Sequence, residues 1–582
     1  MTGSQNTVLI ALALAAFFSI GCGSREASGA DATAARTADA STGDTARDAG
    51  AEGGPDATIE DAEPPPRVFI RRFVANVQEA PSRNSKKIGY LRAGAVTKAT
   101  SSRAAGQDGC LAGWYAIEEG GYVCNRRDVT LFEGSRLPER RSRQPSREDV
   151  LPYEYGRIFR RRAPLYRRLP TEEEVAIYEP RPTPTPAAPA AGTTTEAPES
   201  GQAESAAPAV PPSAETPPQT PAPAPAATTV QASAAPAAAP APAAPAPAVP
   251  APPAEAPAAP ATASDNAGGD APMAEAETEE EEEEETTLAT LQGQSGGVLQ
   301  RWLLEGFYVS LDTTMRTTTH RYWRTQANGF LPLRSIRPVR GSEFEGVQID
   351  GEEWQLPVGY VVSRRATWYE RRGENRVRRV RGLAPWHHVF RVVNQVTIGD
   401  RDYLEGPDGR LYPTRYARLI DRRERPEEVA EGERWIDVDL SKQSLIAYEG
   451  DRPVFVTLIS SGKKFRSGDA EHFETPTGDF RVSAKHVTDT MDGDSASDGP
   501  YSIDDVPYVM YFRGAYAIHS AFWHNGFGYP RSHGCVNVSP RDARWLFGWT
   551  SPNVPHSWHG AYPYGENLGT RIFVHGETPG RD

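Results

Sequence analysis

"RWIDVDLSKQSLIAYEGDRPVFVTLISSG", Arg434 to Gly462, is the stretch that decides the fold. Apolar and polar residues alternate through it in two runs, which meet at Glu449-Gly450-Asp451-Arg452-Pro453, where glycine and proline interrupt a strand. A period of two predicts a β-hairpin with one face buried. Downstream, "TPTGDFRVSAKH" (Thr475 to His486) adds a turn and a strand. After a loop rich in Gly, Asp and Ser, "VPYVMYFRGAYAIHS" (Val506 to Ser520) reads as another strand. The expectation for 432–577 is a mostly antiparallel sheet.

Upstream, 298–425 holds "LLEGFYVSLDTT", "HRYWRTQANGFLPL" and "HHVFRVVNQVTI", aromatic and β-branched with turn signals at short intervals, which predicts a β-rich middle domain. Its Trp and Tyr residues are read as core before they are read as stacking platforms for sugars. "LPYEYGRIFRRRAPLYRRLP", from Leu151, faintly echoes "LPVGYVVSRRATWYERRG", from Leu356. The basic segment 133–179 is therefore either the first part of the middle domain or a related unit. Between them, 180–297 runs through Pro-Ala-Thr repeats to "ETEEEEEEE", ending at Glu285. Proline extends such a chain and like charges swell it, so it reads as a disordered spacer. Residues 67–132 show short apolar stretches separated by Gly, Pro and Asn, which predicts a small β-barrel module. Residues 23–66 lack large apolar side chains and read as a disordered tether. The 52 prolines of this 582-residue chain are bunched, as separate domains on long disordered linkers require. The fold class is mainly β and multidomain.

The net charge of −14 owes much to the glutamate run, while Arg136 to Arg168 is rich in arginine, so net charge selects no partner. Nothing in the pattern points to nucleic acid. "VLIALALAAFFSI" (Val8 to Ile20) is an uncharged apolar run of export-signal length, too short to span a bilayer comfortably. "SIGC" resembles a bacterial lipoprotein signal, although Ser19 stands where Leu or Val is usual and "MTGSQNT" carries no Lys or Arg. The resemblance implies residues 1–22 as signal, a lipid on Cys22, and a periplasmic protein anchored to the outer membrane. Cleavage after a small residue, giving a soluble product, is the alternative.

An oxidising compartment gives the four cysteines different meanings. Cys110 and Cys124 lie on two segments of the first module and are predicted to pair. With Cys22 lipid-linked, Cys535 in "RSHGCVNVSP" is left as the odd thiol. An unpaired cysteine there is a liability unless its reactivity is used, and His519 and His533 are near it in sequence. A thiol with a neighbouring imidazole is the arrangement of a cysteine acyl-transfer enzyme. Gly534 would let backbone N–H groups approach a tetrahedral intermediate.

"ANVQEAPSRNSKKIGYLRAG" followed by "GWYAIEEGGYV" resembles a bacterial Src-homology-3-like module, which implies an auxiliary role in binding cell-wall peptides. "YAIHSAFWHNGFGYPRSHGCVNVSPRDARWLF", with "DVDLSKQSLIAYEG" and "TPTGDF" upstream, resembles the L,D-transpeptidase (YkuD-like) catalytic domain family over about the last 145 residues. The resemblance implies that Cys535 attacks a peptidoglycan stem tetrapeptide, releases D-alanine and passes the acyl group to an amine without cofactor or metal. His519 would be the base and the carbonyl of Ser520 would orient its ring. His533, Gly534 and Cys535 would line the oxyanion hole, and Tyr501, Tyr508 and Tyr511 the substrate cleft. Asn537 stands where many members have Arg, so that arginine's role does not carry over, and Asn537 is assigned to substrate binding and to support of the site. The acceptor stays open among a stem amine, a protein lysine and water, the last being carboxypeptidase activity. Two other classes compete: a zinc site from His519, His524, His533 and Cys535, with His524 otherwise read as an exposed loop residue, and a non-catalytic wall-binding lipoprotein.

Overall fold

The computed structural model describes residues 66–71, 74–132, 143–179, 286–464, 473–495 and 499–580. The export signal with Cys22, nearly all of the tether and the spacer as far as residue 285 lie outside the described residues. The described chain is mostly strand, in several sheets, as the sequence predicts. Among the described residues no helix is long and apolar enough to cross a membrane.

Ahead of the C-terminal domain stand three small units of one topology. In each, the first strand pairs antiparallel with a middle strand and with the last, and the second pairs with the third and with the next to last. In the first unit Arg67–Ile70 pairs with Val96–Lys98 and Val129–Phe132, and Val74–Gln78 with Lys87–Arg92 and Tyr122–Cys124. In the second, Glu154–Ile158 pairs with Tyr308–Arg316 and Ile336–Val339, and Arg162–Tyr166 with Leu299–Leu304 and Phe330–Pro332. In the third, Val358–Val361 pairs with Val389–Arg391 and Ala417–Ile420, and Tyr369–Arg371 with Val377–Arg379 and Arg410–Pro413. The single middle domain of the sequence reading is thus two units, and the first of them begins before the spacer. The faint echo between Leu151 and Leu356 falls on equivalent first strands. Residues 286–297 also belong to the fold: Leu291 is buried in the second unit's core beside Leu303 and Val309, because two leucines there find apolar partners. Cys110 and Cys124 form a disulfide in the first unit, their Cα atoms 5.9 Å apart.

The opening stretch departs from its expected hairpin in two ways. It forms three strands, Arg434–Asp439, Ser444–Glu449 and Arg452–Leu458, because a further turn falls at residues 440–443. It is also buried on both faces. Ile436, Val438, Leu445, Ala447 and Phe455 pack with Ile518, Val536, Ala543 and Leu546 on one side. Trp435, Ile446, Tyr448, Val456 and Leu458 pack with Val358, Tyr360 and Ile420 of the third unit on the other. A fully buried large apolar side chain contributes roughly 1.5–3 kcal/mol, so the third unit stabilises this sheet as a second layer rather than hanging from it.

The sheet is not simply antiparallel. Arg434–Asp439 runs parallel to Arg571–His575, and in a second sheet Tyr516–Ser520 runs parallel to Val536–Val538. A helix, Pro540–Trp549, follows directly. Ser539 caps it by accepting from the Asp542 N–H, Pro540 starts it, and Ala543, Leu546 and Phe547 face the core. Its C-terminal carbonyls at Phe547 and Thr550 accept from the buried ammonium of Lys485. One carboxylate ties three parts together. Asp505 accepts from Arg92 of the first unit, Ser310 of the second and Thr488 of the C-terminal domain, and these donors hold it below the usual carboxylate range.

Candidate active site

Register turns the thiol and the imidazole to one cleft. In the parallel pair Ile518 stands opposite Val536 and His519 opposite Asn537. Alternate residues of a strand share a face, so His519, Asn537 and Cys535 project to the same side. All three line a cleft of about 570 Å³. Nδ1 of His519 lies 3.0 Å from the carbonyl oxygen of Ser520. A carbonyl only accepts, so the proton sits on Nδ1 and Nε2 keeps its lone pair. Burial lowers this imidazole to about 4, and the Trp523 ring stacks on it with centroids 5.8 Å apart.

Cys535 is the free thiol among the described residues and is half-buried. Dense protein around the sulfur pushes its pKa up, to about 11. The Ala517 backbone hydrogen bond and the open side toward the cleft work against that push. With the thiol raised and the imidazole lowered, both partners rest neutral. Alkylation of Cys535 by iodoacetamide is expected to climb steadily from about pH 8.5 toward 11, as thiolate forms. A rate already on its plateau near neutral pH would show a thiolate–imidazolium pair instead.

The turn before the cysteine is held by two hydroxyls. Ser532 Oγ accepts from the Gly534 N–H at 3.1 Å and donates to the Cys535 carbonyl at 2.6 Å. Thr475 Oγ1 accepts from the Gly462 N–H at 2.9 Å and donates to the Gly534 carbonyl at 2.8 Å. Gly534 sits at φ 119°, and a Cβ there would come within 2.4 Å of the Tyr516 ring. Its glycine is therefore required by backbone conformation and by Tyr516. Its N–H, expected to line an oxyanion hole, is engaged by Ser532. His533 lines the cleft, stacked on Tyr501 with centroids 4.9 Å apart and edge-on to Phe473.

Tyr501 and Tyr511 line the cleft, and the Tyr511 hydroxyl donates to Asp489 at 3.0 Å. Tyr508 does not. Its hydroxyl donates to the Asp149 carbonyl at 2.8 Å and its ring packs against Phe547 of the helix. Three residues from Tyr511, Tyr508 falls on the opposite face of the strand by ordinary alternation and packs in the core with Met510 and Phe512. His524 is not an exposed loop residue: it is half-buried, packs on Phe527 at 4.9 Å and is held down to about 3 by burial. Its Nδ1 accepts from the Gly526 N–H at 3.2 Å, so Nε2 carries the proton. The Asn537 amide meets Nε2 at 3.2 Å, and its oxygen, which has no other partner, is the atom that proton needs. Asn537 is thus both a cleft residue and a support for the loop. His524 turns both ring nitrogens to these partners, and among the described residues no three His, Cys, Asp or Glu side chains gather as metal ligands would.

Sequence reading missed Thr475, Ser532 and Trp523. All three stood in the quoted motifs, the first two as small hydroxyl residues two or three positions before a glycine. It also missed Gly306 and Tyr308, which line the cleft from the second unit.

Residues 433–574 match the family model of the L,D-transpeptidase catalytic domain (YkuD). No curated protein matches the chain. Among solved structures, a cysteine-to-serine mutant of the Enterococcus faecium L,D-transpeptidase is 27% identical, with 25% of this chain and 50% of that one covered and a TM-score of 0.19. The catalytic domain of the E. faecium L,D-transpeptidase, solved by NMR, is also 27% identical, with 25% and 98% covered and a TM-score of 0.19. The L,D-transpeptidase of Xylanimonas cellulosilytica is 30% identical, with 26% and 64% covered and a TM-score of 0.17. The chain spans about half the length of the first of these.

Proposed function

We propose that residues 433–574 are a cysteine acyltransferase acting on peptidoglycan stem peptides. Cys535 attacks the carbonyl joining the third residue of a stem tetrapeptide to its terminal D-alanine. Because thiol and imidazole both start neutral, the proton passes from sulfur to Nε2 of His519 as the carbon–sulfur bond forms. The imidazolium then returns that proton to the departing D-alanine amine, and a thioester remains. An acceptor amine attacks the thioester, His519 takes the amine's proton, and the thiol is regenerated as the new amide forms. The Ser520 carbonyl keeps the ring in the tautomer that both steps need and stabilises the transient imidazolium. The N-terminal reading puts this chemistry in the cell envelope, on a chain tethered through a lipid at Cys22.

The observation that carries the reading is the parallel pairing of Tyr516–Ser520 with Val536–Val538, which brings thiol and imidazole to one face of one cleft. The full chain incubated with defined muropeptides should release D-alanine and yield cross-linked products by mass spectrometry. Hydrolysed tripeptide alone would assign water as the acceptor, and a protein adduct would assign a lysine. Intact tetrapeptide after prolonged incubation would sink the proposal.

A further inference from the structure

We propose that Tyr308, carried by a unit outside the catalytic domain, is a positioning residue for the stem peptide, its ring forming a wall of the cleft against which the peptide lies. This rests on the reading given under Proposed function. Tyr308 opens the strand Tyr308–Arg316 and pairs in parallel with Ile503, one of the cleft's own residues. Its ring meets Phe522 edge-on at 5.7 Å and lies 6.3 Å from Trp523, the residue that stacks on His519. Tyr308, Trp523 and His519 therefore form one continuous aromatic side of the cleft, with Met491 and Ile503 adding apolar surface.

The second unit is fastened where it matters for this wall. Arg301 pairs with Asp504 at 3.3 Å, Ser310 donates to Asp505 at 2.5 Å, and the Tyr155 hydroxyl donates to the Asp505 carbonyl at 2.6 Å. The Leu288 N–H donates to Asp494 at 2.7 Å, on the loop joining the two strands that carry Met491 and Ile503. A residue merely covering a domain seam would not need to face the reaction cleft. Tyr308 does face it, only partly buried, with no hydrogen bond to its hydroxyl among the described residues.

The test compares wild-type full chain with Tyr308→Ala, Tyr308→Leu and Tyr308→Phe by steady-state D-alanine release from a tetrapeptide. Iodoacetamide labelling of Cys535 at the wild-type rate serves as a check that each chain is folded: so small a reagent needs no wall, and an unfolded chain, its thiol freed of the burial that raises it, would label faster. Tyr308→Ala is expected to raise KM about tenfold with kcat changed less than about twofold, and Tyr308→Phe to restore KM to within about twofold. Tyr308→Leu, which keeps apolar bulk at the seam should the alanine variant not fold, is expected to raise KM severalfold. An unchanged KM in a variant that still labels normally, or a loss confined to kcat, would overturn the inference. A wild-type chain that labels but releases no D-alanine would instead overturn the parent reading.

Discussion

Cys535→Ser is expected to abolish D-alanine release, lowering turnover by about 10⁵-fold or more, to the background of uncatalysed hydrolysis. The change is nearly isosteric and the site is half-buried, so stability should move by less than about 1 kcal/mol. What is lost is chemical. A thiol already pushed up to about 11 can still surrender its proton to a nearby imidazole as it attacks. A hydroxyl in the same surroundings is far less acidic, and a His519 lowered to about 4 is too weak a base to compensate. Intact-mass analysis after mixing with tetrapeptide should show an acyl adduct on the wild-type chain and none on the variant. Retention of appreciable turnover by Cys535→Ser would move the nucleophile elsewhere.

His519→Ala should be crippling but not absolute. General acid–base help of this kind is worth about a hundredfold to ten-thousandfold, and kcat/KM is expected to fall within that range. A second cost goes to stability: the Ser520 carbonyl, which accepts from Nδ1 in a buried strand, loses its partner, worth about 1–3 kcal/mol. Iodoacetamide labelling separates the two. At high pH hydroxide removes the thiol proton without help, so His519→Ala should label about as fast as wild type there while remaining slow in turnover. Equal loss in both assays would mean that the histidine holds the site together and does not move protons.

Much of the site was legible in the sequence because its chemistry is local. His533, Gly534 and Cys535 share one turn, and the unpaired thiol followed from counting cysteines against compartment. Tyr501 and Tyr511 reach the cleft, as the family resemblance implied. Tyr508 did not, because it stands three positions from Tyr511 and alternation turns it into the core beside Met510 and Phe512. The helix after Cys535 had a readable start in Ser539-Pro540-Arg541-Asp542, a capping residue followed by proline, hidden by the strand-like stretch before it.

By itself the sequence determined that this chain is built of strands, that proline-rich and acidic stretches interrupt it, and that one thiol is chemically set apart. Period-two patterning, composition and cysteine count carry that much, since each reports how a residue faces its immediate surroundings. Which strands become neighbours was decided only by the tertiary structure. Arg434–Asp439 lies beside Arg571–His575, Glu154–Ile158 closes against strands from beyond the spacer, and Tyr308 reaches a cleft that belongs to another domain. Alternation says that a strand has two faces but not what covers them. The opening stretch, expected to bury one, buries both, because a unit remote in sequence supplies the second layer.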